Sequence, residues 1–134
     1  MTRHESRELA FILIFEKSFQ TDISITELID SAAELELFEQ NDFAEGLAKR
    51  VYLRLEEIDT AINDNLVGWS AKRISRVTRA ILRLAVCEML YSEDVPVGVA
   101  INEAVEIAKK YASQEDASYI NGVLGSIAKK NFNK

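Results

Sequence analysis

Apolar residues recur along this chain at a spacing of three and four, the period of helices packed by one face, and the breakers are few: one Pro and five Gly in all. The fold class read from this pattern is all-α. Thr2 and Glu5 form a capping box ahead of "RELAFILIFEKSF", where Leu9, Ile12, Leu13 and Glu16 support a first helix ending near Phe19. Ser24 and Glu27 repeat the device before "ELIDSAAELELF". A third helix starts at Asn41 or Asp42 and runs through "FAEGLAKRVYLRLEEIDTAINDNL", with Phe43, Leu47, Val51, Leu55, Ile58 and Ile62 on one stripe. These three helices make one small bundle. After "VGW", Ser70 caps a short helical turn, and "SRVTRAILRLAVCEMLY" is a long helix that Pro96 closes. Two more helices follow, from about Gly98 to Tyr111 and from Ser113 or Asp116 to Lys130.

At 134 residues the chain suits one domain with a proper core. No apolar run approaches the ~20 residues of a membrane span, and no leader pattern opens the chain, so the expected location is cytoplasmic. One cysteine, Cys87, and one histidine, His4, leave no disulfide and no thiol–imidazole metal cluster. Cys87 lies in "LRLAVCEML" and reads as a buried, inert thiol. Glu88, Glu103 and Glu106 would suit a carboxylate metal bundle, but the Glu-x-x-His pairs of such bundles are missing. With no phosphate loop, dinucleotide motif or nucleophile elbow, neither an enzyme nor a cofactor is expected.

The net charge of −6 argues against nucleic acid until its distribution is considered. From Asn65 to Cys87 the chain carries Lys72, Arg73, Arg76, Arg79 and Arg83 and no acid, whereas from Glu16 to Asp64 acids outnumber bases about three to one. On a helical wheel Arg76, Arg79 and Arg83 are neighbours opposite a stripe of Ile74, Val77, Ile81, Leu84, Ala85 and Glu88. A solvated face and a phosphate-facing surface both fit that arrangement, although solvated faces usually mix signs. Arg3, His4 and Arg7 share a face of the first helix, a second basic site. Trp69 and Tyr119, aromatic residues beside polar ones, suit either base stacking or packing.

The ordered segments "WSAKRI", "AILRLAVCEML", "VPVGVAINEAVEIAKKY" and "SYINGVL", with "SRELAFILIF" at the front, resemble the NusB transcription antitermination factor family over nearly the whole chain. The resemblance implies about seven helices in two small packed bundles, near residues 1–66 and 67–134 of one NusB-like domain. It implies a non-enzymatic factor that binds boxA RNA of nascent ribosomal RNA transcripts together with the NusE ribosomal protein, within an RNA polymerase antitermination complex. The chain ends where the catalytic domain of related methyltransferases would begin.

Carried onto this sequence, the arginine-rich motif of the family falls on Arg3, His4 and Arg7, and the "ILR" arginine is Arg83. The aromatic of the "FVNG" motif is Tyr119, followed by Ile120, Asn121 and Gly122, and Trp69 stands for an aromatic before the fourth helix. The expected RNA surface joins these residues to Arg76 and Arg79, with Tyr119 and Asn121 near the start of the last helix and Gly122 admitting a close approach. Asn102 and Glu103 are expected to bridge one helix to another. A helical protein-interaction adaptor that never touches RNA is the rival reading. The pattern leaves open whether the chain is a monomer or a homodimer.

Overall fold

The computed structural model describes residues 1–66 and 74–132. Seven helices account for most of them: α1 (Arg3–Phe19), α2 (Ile25–Glu34), α3 (Asp42–Leu53), α4 (Leu55–Asn63), α5 (Arg76–Tyr91), α6 (Val97–Tyr111) and α7 (Gln114–Phe132). Among the described residues there is no strand. Both capping boxes form: Thr2 Oγ1 accepts from the Glu5 amide at 3.0 Å, Ser24 Oγ accepts from the Glu27 amide at 3.1 Å, and each glutamate reaches back to its cap's own N–H. The turn at Ser70 and the side chain of Trp69 lie outside the described residues.

α5 is the axis of the fold. "AILRLAVCEML" is apolar almost all round, which only a helix covered on every side can use, and α5 packs against α1, α3, α4, α6 and α7. Ile81, Leu82, Leu84 and Val86 are fully covered, and one continuous core joins them to Ile14, Ile29, Ile58, Ile107, Ile120 and Leu124. α6 and α7 form a close hairpin on one side of α5. Cys87 lies inside this core, where burial pushes its thiol up to about 12 and leaves it neutral.

Two boundaries and one covered face differ from the sequence reading. The expected third helix is two, α3 and α4, broken at Arg54 (φ −110°, ψ 24°) with no side-chain cap. The break turns Ile58 and Ile62 onto α5 while Leu53 is left exposed. Pro96 does not end α5, which stops at Tyr91; it stands as the N-cap of α6, where its fixed φ and missing N–H cost nothing. On α1 the covered face is Ala10, Phe11, Leu13 and Ile14, and Ile12 is exposed. Ile12 instead lines an open apolar cleft of about 580 Å³ between α1 and α2, with Leu28, Leu35, Leu37 and Phe38.

α2 ends in a Schellman turn: the Leu37 amide donates to Ala32 O at 3.1 Å and the Glu36 amide to Ala33 O at 3.0 Å. Glu36 holds the left-handed position (φ 55°) that glycine normally fills there. Glu36→Gly is expected to raise stability by about 0.5–1 kcal/mol, the Cβ strain outweighing the added freedom of the unfolded chain. Urea unfolding midpoints of the two proteins check it.

Candidate nucleic-acid interface

The basic residues of α1 do not form one surface. Arg7 is 5% exposed, and its Nε donates to both carboxylate oxygens of Glu88 on α5, at 2.9 and 3.1 Å. Its Nη1 lies 3.7 Å from Glu103 Oε1 on α6. Glu88 is 1% exposed, so the pair is a buried ion bridge that fixes α1 on the axis helix. The expectation that Arg7 contacts RNA is therefore corrected, because its guanidinium is spent inside the protein.

Around this bridge the junction of α1 and α6 is closed by further polar contacts. The His4 imidazole sits between Glu103, which it contacts through Nδ1, and Glu8, 3.3 Å from Nε2. Glu8 also accepts from Lys110 Nζ at 2.7 Å and from the Tyr111 hydroxyl at 2.8 Å. Burial alone would raise the Glu8 carboxyl, but the hydrogen bonds from Lys110 and Tyr111 outweigh it and hold the group below its ordinary value. Through His4 and Arg7, Glu103 joins α6 to α1. Asn102 does not: it is exposed and makes no side-chain hydrogen bond among the described residues.

What this junction presents outward is Arg3 and the open edge of His4. The Arg3 guanidinium lies 4.0 Å from the Phe43 ring centroid, with no carboxylate within 4.0 Å among the described residues. A cation seated on an aromatic face keeps its charge available to an anion.

On α7 the sequence-predicted residues sit elsewhere than expected. The helix begins at Gln114, so Tyr119 and Asn121 are interior positions whose amides serve the helix, not free donors at its start. Tyr119 is half-buried against the core, and its hydroxyl is shielded without a hydrogen-bond partner among the described residues. Asn121 and Gly122 are exposed. A Cβ at Gly122 would meet nothing within 4 Å, so no neighbouring helix requires the glycine, and it leaves an uncovered notch on the outer face of α7. α6, which carries Asn102, packs against both α1 and α7.

Arg76, Arg79 and Arg83 are brought together, but at the other end of α1. Arg83 makes a two-pronged pair with Asp59 of α4, both contacts 2.9 Å, and Arg79 lies 3.8 Å from the same carboxylate. Burial would lower the Arg83 guanidinium, and the hydrogen bond and charge of Asp59 more than reverse it. The acid missing from the Asn65–Cys87 stretch is thus supplied by α4. Asp59, Glu8 and Lys110 were not singled out in the sequence, whereas Glu88 was visible as a carboxylate within an apolar stripe.

A family model described as "NusB family" matches residues 4–129. The transcription antitermination protein NusB of Acetivibrio thermocellus is 44% identical over 131 residues, covering 96% of this chain and 90% of that protein. The Bacillus subtilis protein of the same name is 39% identical, covering 95% of each. Among solved structures, T. maritima NusB superposes with a TM-score of 0.81 at 32% identity, covering 97% of this chain and 92% of that one. A chain from a crystal structure of antitermination factors NusB and NusE in complex with dsRNA gives 0.81 at 28% identity, covering 97% and 99%.

Two outcomes test the junction. Arg7→Met alone is expected to cost about 3–5 kcal/mol, because it strands the Glu88 charge, while Arg7→Met with Glu88→Leu recovers most of that loss; denaturant unfolding of both reads the difference. Glu8, with its folded value depressed, contributes stability above its unfolded value that is lost as pH falls through the folded one. Glu8→Gln should therefore flatten the decline in thermal stability as pH falls through and below the ordinary glutamate range.

Proposed function

The chain belongs to the NusB family, and from that membership we propose that it is a non-enzymatic transcription antitermination factor of the cytoplasm, binding boxA-type RNA of nascent ribosomal transcripts together with NusE. The supporting observation is the near full-length likeness to a chain from the crystal structure of NusB and NusE in complex with dsRNA, 97% of this chain at a TM-score of 0.81. Arg3 and His4 at the α1–α6 junction and the outward face of α7 are the surfaces this reading assigns to RNA. Arg3 meets phosphate and positions the strand, while the half-buried ring of Tyr119 stacks on a base and Asn121 hydrogen-bonds to one. Gly122 lets the RNA backbone lie against the helix. The buried Arg7–Glu88 bridge acts through Arg3 and His4, whose helix it holds in place.

Gly122 carries the sharpest form of this reading. A glycine inside a helix, with open space where its Cβ would be, weakens the fold and improves no packing. Gly122→Ala is therefore expected to stabilise the free protein by about 0.5–1 kcal/mol while weakening RNA binding. Thermal melting and RNA titration measured on the same variant must move in opposite directions; a variant that melts higher and binds RNA as before removes Gly122 from the interface.

The direct test is fluorescence anisotropy of a labelled boxA-type strand, with a scrambled strand and a duplex of the same sequence beside it, with and without NusE. Sequence-dependent binding that tightens with NusE is expected, and Tyr119→Ala should weaken it by about 1–3 kcal/mol while Tyr119→Phe does not. NusE binding with no RNA affinity in any arm would leave a protein-interaction adaptor in its place.

A further inference from the structure

At the end of α1 remote from Arg3, a cleft of about 460 Å³ opens where α1, α3, α4 and α5 meet. Four cations line it, Lys17, Arg76, Arg79 and Arg83, together with Ser18 and Thr21, and no carboxylate is among its lining residues. In a chain of net charge −6 this concentration runs against the average. Fourteen residues of helix separate Arg3 from Lys17, about 20 Å at 1.5 Å per residue, so the cleft is a separate place from the α1–α6 junction.

The partners of these cations set the cleft apart from an ordinary ion-pair network. Lys17 Nζ donates to Gln20 O at 3.1 Å and lies 5.4 Å from the Tyr52 ring centroid. Arg76 Nη1 donates to Ser18 O at 2.7 Å, with its guanidinium 4.6 Å from the Phe19 ring centroid. Neither has a carboxylate within 4.0 Å among the described residues, so both are oriented by neutral groups that leave their charge uncancelled. Arg79 and Arg83 share the single carboxylate of Asp59, and Arg79 Nη2 is further held by Asn63 Oδ1 at 3.1 Å. The first turn of α5 contains no acid, although its amides and dipole favour negative charge there. Pre-oriented guanidinium and ammonium donors around a concave opening are what a tetrahedral oxyanion requires.

We propose that this cleft is a binding site for a phosphoryl group, held by Lys17 and Arg76 from one side and by Arg79 from the other, with Thr21 as a hydroxyl donor. Arg83 positions Arg79 through their shared Asp59. The group is either a free phosphate or pyrophosphate, or a phosphodiester of an RNA chain that also runs over the α1–α6 junction.

The test is an amide NMR titration of the full chain with inorganic pyrophosphate, in a chloride background of constant ionic strength. Saturable shifts are expected at the amides of Ser18, Thr21 and Arg76. Lys17→Gln with Arg76→Gln should weaken them at least about tenfold, the scale of a lost charged hydrogen bond, and Arg3→Gln should leave them unchanged. Thr21→Glu, at an exposed position, puts a carboxylate into the cleft and has to abolish the same shifts even if the double variant folds poorly. Shifts that rise without saturation, or that survive these substitutions, overturn the site. Single-stranded RNA added to the pyrophosphate-saturated protein separates the two sources: displacement assigns the cleft to RNA backbone, and a retained pyrophosphate signal assigns it to a small phosphate. Only this last arm rests on the RNA-binding reading; a protein that saturates with pyrophosphate and binds no RNA keeps the site and loses that reading.

Discussion

The buried bridge between Arg7 and Glu88 is the constraint around which the rest of the molecule is arranged. A charge on the axis helix of an apolar core is costly unless it is paired and its remaining lone pairs are used. Here Arg7 reaches both oxygens of Glu88 and approaches Glu103 as well, so one guanidinium joins α1, α5 and α6. Apolar contacts would tolerate a helix sliding or turning by part of a residue; this geometry does not. The position of Arg3 and His4, one turn earlier on α1, follows from it.

Much of the fold could be read from the chain because helix period, caps and breakers are local signals. Thr2 with Glu5 and Ser24 with Glu27 are capping boxes in sequence and in structure, and the apolar "AILRLAVCEML" is the covered axis. The break at Arg54 has no such signature, since neither Gly nor Pro marks it and the stripe from Val51 to Leu55 keeps helical spacing through it. It comes from tertiary packing, where α4 turns to reach α5. The site was harder to read for a related reason. Wheel projections place Arg79 and Arg83 beside Arg76, but only the fold places Asp59 beside two of them, and only the fold takes Arg7 out of solvent. The one long-range clue in the sequence was Glu88, a carboxylate on the covered stripe that had to have a partner.

The same distinction governs the charge pattern. Counting cations between Asn65 and Cys87 identifies a positive region, yet what a ligand meets depends on which charges are cancelled at close range. Arg83 is largely matched, Arg79 shares its partner, and Arg76 and Lys17 are held by carbonyl oxygens and ring faces. Aromatic seating appears again at Arg3 on Phe43. At both ends of α1 the protein thus orders a cation without neutralising it, which is how an acidic chain can still present positive ground to an anion.

The open cleft beside α2 bears on how the molecule breathes. Among the described residues α2 contributes Ile25, Leu28 and Ile29 to the core and packs mainly against α1 and α3, with uncovered apolar wall behind it and a strained turn at its end. The middle of α5, from Ala80 to Met89, is enclosed apart from Arg83. Local opening therefore has its lowest threshold at α2, which can swing away while the axis and the α6–α7 hairpin remain closed. Backbone amides of α2 would exchange with solvent through such excursions, and those at the middle of α5 only when the whole chain unfolds. Arg3, Lys17, Arg76 and Arg79 all lie outside α2, so the cations of both anion-facing surfaces keep their places through that fluctuation.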